Sequence, residues 1–305
     1  MTAPLGWPRP GAVVELLRPI TWFPPMWAFG CGVVSSGQQL SLHLLTIVLG
    51  IVLAGPLVCA MSQAINDWYD RHVDAINEPD RPIPSGRIPG FWGVYIALVW
   101  TALSLALAAT LGAWVFGATV IALILAWAYS APPFRLKENG WWGNAAVGFS
   151  YEGIAWFTGA AALIGAFPDW RIVALAVLYS IGAHGIMTIN DFKAVAGDRR
   201  MGVRSLPVQL GEASAAKVAG VVMAVPQVVV VALLFTWGQP IHGAVVTALL
   251  VAQIAMMVRY LFDTDKLLAE PVRRAALYNG TGVLFYVSGM LVSAFALRGI
   301  LAGTV

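Results

Sequence analysis

The feature that most constrains this chain is the length of its uncharged runs. Pro19 to Asn66 spans 48 residues and Ile88 to Phe134 spans 47, and neither run contains an Asp, Glu, Lys or Arg. A helix crosses a bilayer in about 20 apolar residues, so each run holds two crossings and a short turn. Val218 to Val258 adds 41 uncharged residues, room for two crossings around Trp237-Gly238-Gln239-Pro240. Residues 139–168, interrupted only by Glu152, hold one more, as do Ile172 to Asn190 and Ala275 to Leu297. The spacing predicts an all-α polytopic membrane protein of nine transmembrane helices, forming one domain over residues 1–305.

Composition agrees. Charged residues make up 11% of the chain, against about 25% in soluble domains. A soluble core of this size could not hide the 59% hydrophobic fraction. A disordered chain is excluded too. The net charge of +3, without a basic run, argues against nucleic acid. With nine crossings, the N-terminus and the loops near 67–90, 132–140, 193–213 and 263–274 carry 14 of the 18 Lys and Arg residues, and the other side only Arg171 and Arg298. Positive residues favour the cytoplasm, which predicts an N-terminus inside. The Pro-rich start has no signal-peptide pattern. Cys31 and Cys59 fall in predicted helices without metal-ligand spacing and read as packing residues.

Fourteen of the 33 charges gather in 67–87 and 191–204. In the first segment, Asn66-Asp67-Trp68-Tyr69-Asp70 leads to Asp74. At i, i+3 and i+7 of a helix the three carboxylates share a face, where their repulsion demands something positive. Oxygen ligands of high charge suit a hard cation, and Mg²⁺ commonly bridges carboxylates to phosphates. The competing reading is a solvated helix end neutralised by Arg71 and Arg81. The second segment weakens that alternative: Asn190-Asp191-Phe192-Lys193 again places Asn-Asp-aromatic before an acid, Asp198. Four predicted helices separate the motifs, so both emerge on one side, each followed by an Arg and a Pro turn (Arg81-Pro82 and Arg204-Ser205-Leu206-Pro207). This pattern looks like an internal duplication. Arg81, Arg87, Lys193, Arg199, Arg200 and Arg204 lie close by in sequence, and carboxylates holding Mg²⁺ beside arginines make a diphosphate site.

These motifs resemble the UbiA superfamily of intramembrane prenyltransferases, and within it the chlorophyll synthase branch. The resemblance rests on residues 66–86, on Tyr129-Ser130-Ala131-Pro132-Pro133-Phe134-Arg135-Leu136-Lys137, and on residues 190–208. Pro19 to Trp27 and Ser150-Tyr151-Glu152-Gly153 are more similar to the bacteriochlorophyll-forming members. The resemblance implies transfer of a geranylgeranyl or phytyl group from its diphosphate to the propionate of bacteriochlorophyllide, in a bacterial inner or intracytoplasmic membrane. Chlorophyllide, a quinone precursor and haem are the alternative acceptors. It also implies two Mg²⁺ ions, one on Asp67, Asp70 and Asp74 and one on Asp191 with Asn66, Asn190 or Asp198. Arg81, Arg87, Lys137, Lys193 and Arg204 would contact phosphate. Ala194, Val195 and Ala196 replace acids common in relatives, which leaves the second metal poorer in carboxylate. Pigment-handling membrane proteins are plausible partners that no motif specifies.

Most of the aromatic residues read as interface anchors and packing. Trp68, Tyr69, Tyr129, Tyr151 and Phe192 are placed to steady an allylic cation or stack on a tetrapyrrole. His184 reads first as a satisfied intramembrane histidine and second as a ligand for a pigment's central metal. Glu152 is costly in lipid and is expected to face a cavity. A transporter is the rival from another class, but its acids would be distributed across the membrane rather than gathered at helix ends.

Overall fold

A computed structural model of the chain describes residues 6–302, Asn77 by its backbone alone; residues 1–5 and 303–305 of the expected domain lie outside the described residues. Among the described residues the fold is helical throughout and contains no strand. A short helix α1 (Pro10–Leu17) and α2 (Phe23–Ser35) lead into α3 (Leu40–Ile76), α4 (Trp92–Leu111) and α5 (Ala113–Ser130). Then come α6 (residues 140–164), α7 (Trp170–Lys193), α8 (Glu212–Thr236), α9 (Pro240–Phe262) and α10 (Pro271–Leu301). Two short helices, Val195–Met201 and Leu206–Leu210, join α7 to α8.

Seven of these helices, α3 to α5 and α7 to α10, are long and apolar enough to cross a membrane. The other two expected crossings correspond to α2 and α6. Helix α2 has 13 residues, about 20 Å of rise against a hydrocarbon core of roughly 30 Å. Helix α6 is long enough, but Asn144 and Glu152 make it more polar. The expected turns occur where Gly and Pro stand. Gly112 joins α4 to α5 at φ 114°, which side chains rarely adopt, and Trp237-Gly238-Gln239 joins α8 to α9.

Apolar residues face both ways. Val221, Val225 and Val228 form an exposed stripe on α8 at helical spacing, as Leu98, Val99 and Leu103 do on α4. In water such stripes would be a liability, whereas in lipid they are the expected outer surface. Helix α7 is the most enclosed of the spanning helices, and Tyr179 on it stacks with Trp156 of α6 and donates to or accepts from Ser293 of α10. Helices α2 and α6 nearly touch: a Cβ added to Gly32 would fall 2.0 Å from the Trp156 carbonyl oxygen, and one on Gly159 2.1 Å from that of Phe29. Trp114 packs on Phe167 and Trp170 on Trp237, at the end of the bundle opposite both Asp motifs. These pairs suit a membrane interface.

Three helices contain a wider π-helical stretch: Leu53–Cys59, Phe149–Ile154 and Val258–Phe262. The first surrounds Pro56, which has no N–H to donate and crowds the preceding turn. The second contains Glu152. Separate apolar clusters seat the two motif-bearing helix ends. Leu16 and Leu17 pack with Met61, Ala64, Ile65 and Trp68 under the first. Ile189 and Phe192 pack with Leu206, Ala219 and Tyr278 under the second.

Candidate active site

The first motif is helical, as its spacing predicts, and lies at the C-terminal end of α3. Its carboxylates are not left to repel one another. Asp67, buried, accepts a hydrogen bond from Arg18 Nη2 at 2.5 Å and lies 3.6 Å from Arg81 Nη1. Asp70 accepts from Lys137 Nζ at 2.5 Å. Asp74 accepts from Arg81 Nη1 at 2.7 Å, and Arg81 also pairs with Glu78. Each acid has a cation from a different part of the chain. Among the described residues the two non-glycine residues with positive φ are Arg18 and Arg135. Arg18 ends α1 and turns directly toward Asp67, and Arg135 opens the turn that carries Lys137 to Asp70. Backbone of this uncommon kind is held by its surroundings, here next to two of the motif's counter-ions.

The second motif is held by neutral groups. Asp191 accepts from Asn144 Nδ2 at 3.1 Å, and the same amide donates to Thr188 at 3.2 Å. The Asn190 side-chain oxygen Oδ1 accepts from Asn279 Nδ2 of α10 at 2.7 Å. Asp198 accepts from Ser205 Oγ at 2.6 Å, and burial raises its carboxyl above the usual range against that hydrogen bond. Among the described residues Lys193, Arg199, Arg200 and Arg204 form no salt bridge.

One loop ties the motifs together. Lys137 reaches Asp70 of the first, while the backbone on either side of Asn139 pairs with Arg204 beyond the second: Gly140 N donates to Arg204 O at 2.8 Å and Arg204 N to Glu138 O at 2.9 Å. Burial pulls the Lys137 ammonium below its ordinary value, and Asp70 opposes that shift.

A cavity of about 480 Å³ opens between the motifs. Of the residues expected from sequence, Asn66, Tyr129, Tyr151, Asn190, Asp191 and Lys193 line it, and Glu152 does as well. Asp67, Asp70 and Asp74 stand behind that lining with Arg81 and Lys137, while Arg18, the partner of Asp67, is part of it. A mostly apolar cleft shares Ser62, Ala126, Ser150 and Tyr151 with the cavity and continues along Leu53, Val58, Ala122, Ile154 and Thr158. Other expected residues lie elsewhere. Arg87 makes a two-pronged pair with Glu15 on the exposed surface. Tyr69 and Trp68 belong to the packing of the first motif, Trp68 under Arg71 at 4.3 Å. Phe192 is in the core. His184 points Nε2 at the Trp141 carbonyl oxygen, 3.2 Å away, outside the cavity lining.

Among the described residues no three acidic, His or Cys side chains converge closely enough to hold a metal by themselves. The motif oxygens that line the cavity, those of Asn66, Asn190 and Asp191, are nevertheless amide and carboxylate oxygens, with the first motif's carboxylates behind them. They fit a hard cation that takes its remaining ligands from phosphate and water.

Residues 21–280 match the UbiA prenyltransferase family. The chain belongs to that family. It is 58% identical over 297 residues to the bacteriochlorophyll synthase 33 kDa chain of Cereibacter sphaeroides, covering 97% of this chain and 96% of that one. It is 37% identical to the chloroplastic chlorophyll synthase of Oryza sativa subsp. japonica, over 93% of this chain and 76% of the relative. A solved UbiA homolog from Archaeoglobus fulgidus, bound to GPP and Mg²⁺, shares the fold with a TM-score of 0.71 at 24% identity, covering 92% of this chain and 99% of that one.

Arg18, Gln63, Asn144 and Asn279 were not expected from the sequence. Gln63 donates to the Tyr151 hydroxyl at 3.0 Å, and its carbonyl oxygen faces Arg18 Nη1 at 3.4 Å. The available signal was weak: an arginine one residue before a long uncharged run, and lone amides inside apolar helices. Their partners are between 44 and 89 residues away in sequence.

Proposed function

We propose that this UbiA-family prenyltransferase esterifies the propionate of bacteriochlorophyllide with a geranylgeranyl or phytyl group taken from its diphosphate. The identity to the Cereibacter sphaeroides chain, which runs nearly end to end, carries the choice of acceptor. The cavity between paired acidic motifs supports the chemistry. In the reaction the allylic C–O bond breaks and diphosphate leaves with the electron pair. A propionate oxygen then bonds to the allylic carbon. The propionate is ionised at neutral pH, so no general base is required.

The hard part is charge on the leaving group. Asn66, Asp67, Asp70, Asp74, Asn190, Asp191 and Asp198 would hold two Mg²⁺ ions, which when bound would draw off charge developing on the diphosphate. Lys193 lines the cavity, forms no salt bridge among the described residues, and meets phosphate directly. Arg18, Arg81 and Lys137 hold the carboxylates in register and would be the cations within reach of the diphosphate. Arg204 stands close by on the strap to Gly140. The apolar cleft takes the prenyl chain, and Tyr129 and Tyr151 present ring faces where positive charge develops. The chain crosses a bacterial cytoplasmic membrane nine times, α2 and α6 included, with its N-terminus inside.

The decisive assay supplies membranes containing the protein with geranylgeranyl diphosphate, Mg²⁺ and either bacteriochlorophyllide or chlorophyllide. The expected product is a pigment ester cleaved by base, formed faster from bacteriochlorophyllide. Product resistant to base, or none from either pigment, overturns the proposal.

A further inference from the structure

Glu152 is a buried acid for which neither the fold nor the two motifs gives a use. It is 6% exposed, and among the described residues its Oε2 has no hydrogen-bond partner and it forms no salt bridge. It nevertheless lines the large cavity. The π-helical stretch Phe149–Ile154 turns Ser150, Tyr151 and Glu152 in succession toward that space. An ionised carboxylate without a cation or a donor is very costly in such surroundings, so the side chain serves as a neutral acid with one O–H to donate. A donor held in a cavity without an acceptor is built for an acceptor that a ligand brings.

Which ligand follows from placement. The prenyl chain offers no acceptor, and the apolar cleft suited to it includes Ser150 and Tyr151 but not Glu152. The tetrapyrrole offers carbonyl oxygens. Asn144, which holds Asp191, and Glu152 lie eight residues apart on α6, roughly 12 Å of helix. When the propionate on ring D sits at the aspartates, where it must meet the allylic carbon, the ketone of the fused fifth ring lies right beside it. The acetyl, on the side of ring A away from ring D, lies farther from the propionate than that ketone does. Of the two it is therefore the one nearer Glu152's depth. It is also the group that chlorophyllide replaces with a vinyl, which accepts no hydrogen bond.

Resting on the function proposed above, we infer that the Glu152 carboxyl donates a hydrogen bond to the ring A acetyl oxygen of bacteriochlorophyllide, positioning the macrocycle and favouring it over the vinyl pigment. A site that hydrogen-bonds a substrate group discriminates against the analogue lacking it.

The test measures kcat/KM for the acetyl and vinyl pigments with the full-length protein in membranes. In Glu152→Leu the acetyl-over-vinyl preference drops about tenfold, the worth of one net hydrogen bond. The loss falls on the KM for the pigment and not on that for the prenyl diphosphate. Glu152→Gln keeps an N–H donor and retains most of the preference. Resonance Raman of the bound pigment gives a second readout: the acetyl C=O stretch lies lower in the wild-type protein than in aprotic solvent, and returns to the solvent value in Glu152→Leu. An unchanged preference in Glu152→Leu overturns the inference, as does an equal loss for both pigments. Should that variant not accumulate, a solvent-like acetyl stretch in the wild type overturns it. A wild type that esterifies neither pigment overturns the function instead, whereas a wild type active on both without preference overturns this inference alone.

Discussion

The two acidic motifs share a sequence pattern but not a way of being held. In the first, Asp67, Asp70 and Asp74 are each matched by Arg18, Lys137 or Arg81. In the second, Asn190, Asp191 and Asp198 rest on two asparagines and a serine, while among the described residues Lys193 and Arg204 form no salt bridge. Three like charges on one helix face need compensation before any ligand arrives, and distant segments supply it. The second motif spreads its acids out and can manage with dipoles. On the function proposed above, the first would be a charge-exchange site, whose cations become available to phosphate, and the second a standing attraction for anions.

The sharpest way to break that distinction is to neutralise one acid in each motif. On the function proposed above, Asp67→Asn and Asp191→Asn should both lower kcat by about 10³-fold or more, since each removes a carboxylate that would hold a cation against the departing diphosphate. Activity that survives with only a shifted pH optimum would mean the acids handle protons. Stability should separate the two variants. Asp67→Asn strands Arg18 and weakens Arg81 in a partly buried place, which costs stability when one partner of a pair is removed. Asp191→Asn leaves a carbonyl for Asn144 to donate to. Thermal unfolding in detergent should fall for the first and barely move for the second. An equal fall would erase the contrast.

The next test compares the lysines. Lys137 braces Asp70 and on the proposed function would also meet phosphate, so Lys137→Met should reduce kcat by about 10²-fold. Lys193 only attracts the anion, so Lys193→Met should raise the KM for prenyl diphosphate by about tenfold with a smaller change in kcat. Reversed signatures would show that the second motif, not the first, exchanges its cations.

What could be read from sequence divides along the same line. Helix positions, turns and both Asp motifs were legible because they depend on local patterns: uncharged runs of 40 or more residues, Gly and Pro between them, and acids at helical spacing. The tying of Lys137 to Asp70 and of Asn139's neighbours to Arg204 was not, since it depends on how four helix ends meet. Arg18 went unnoticed because at sequence level it was only the last charge before the membrane. Arg87 was expected at phosphate because it follows the first motif closely, but the chain turns it outward to Glu15. The expected cavity position of Glu152 was correct for a simple energetic reason: an acid in a membrane helix has few other places to go.

The smallest effect concerns pH, and it asks whether the first motif's cations are as tightly tuned as their geometry implies. Burial lowers the Lys137 ammonium from 10.5, with Asp70 holding it up. A lysine lowered in this way loses its proton earlier as pH rises, and the neutral amine neither braces Asp70 nor attracts phosphate. The alkaline decline of kcat/KM for prenyl diphosphate should thus begin below pH 10.5 in the wild type. Lys137→Arg keeps a charge that is not lost in this range. It should move that decline to higher pH even where its different shape lowers the plateau severalfold. Superimposable alkaline limbs would assign the decline to another group, and with it the view that the loop cation must be charged for the two motifs to work together.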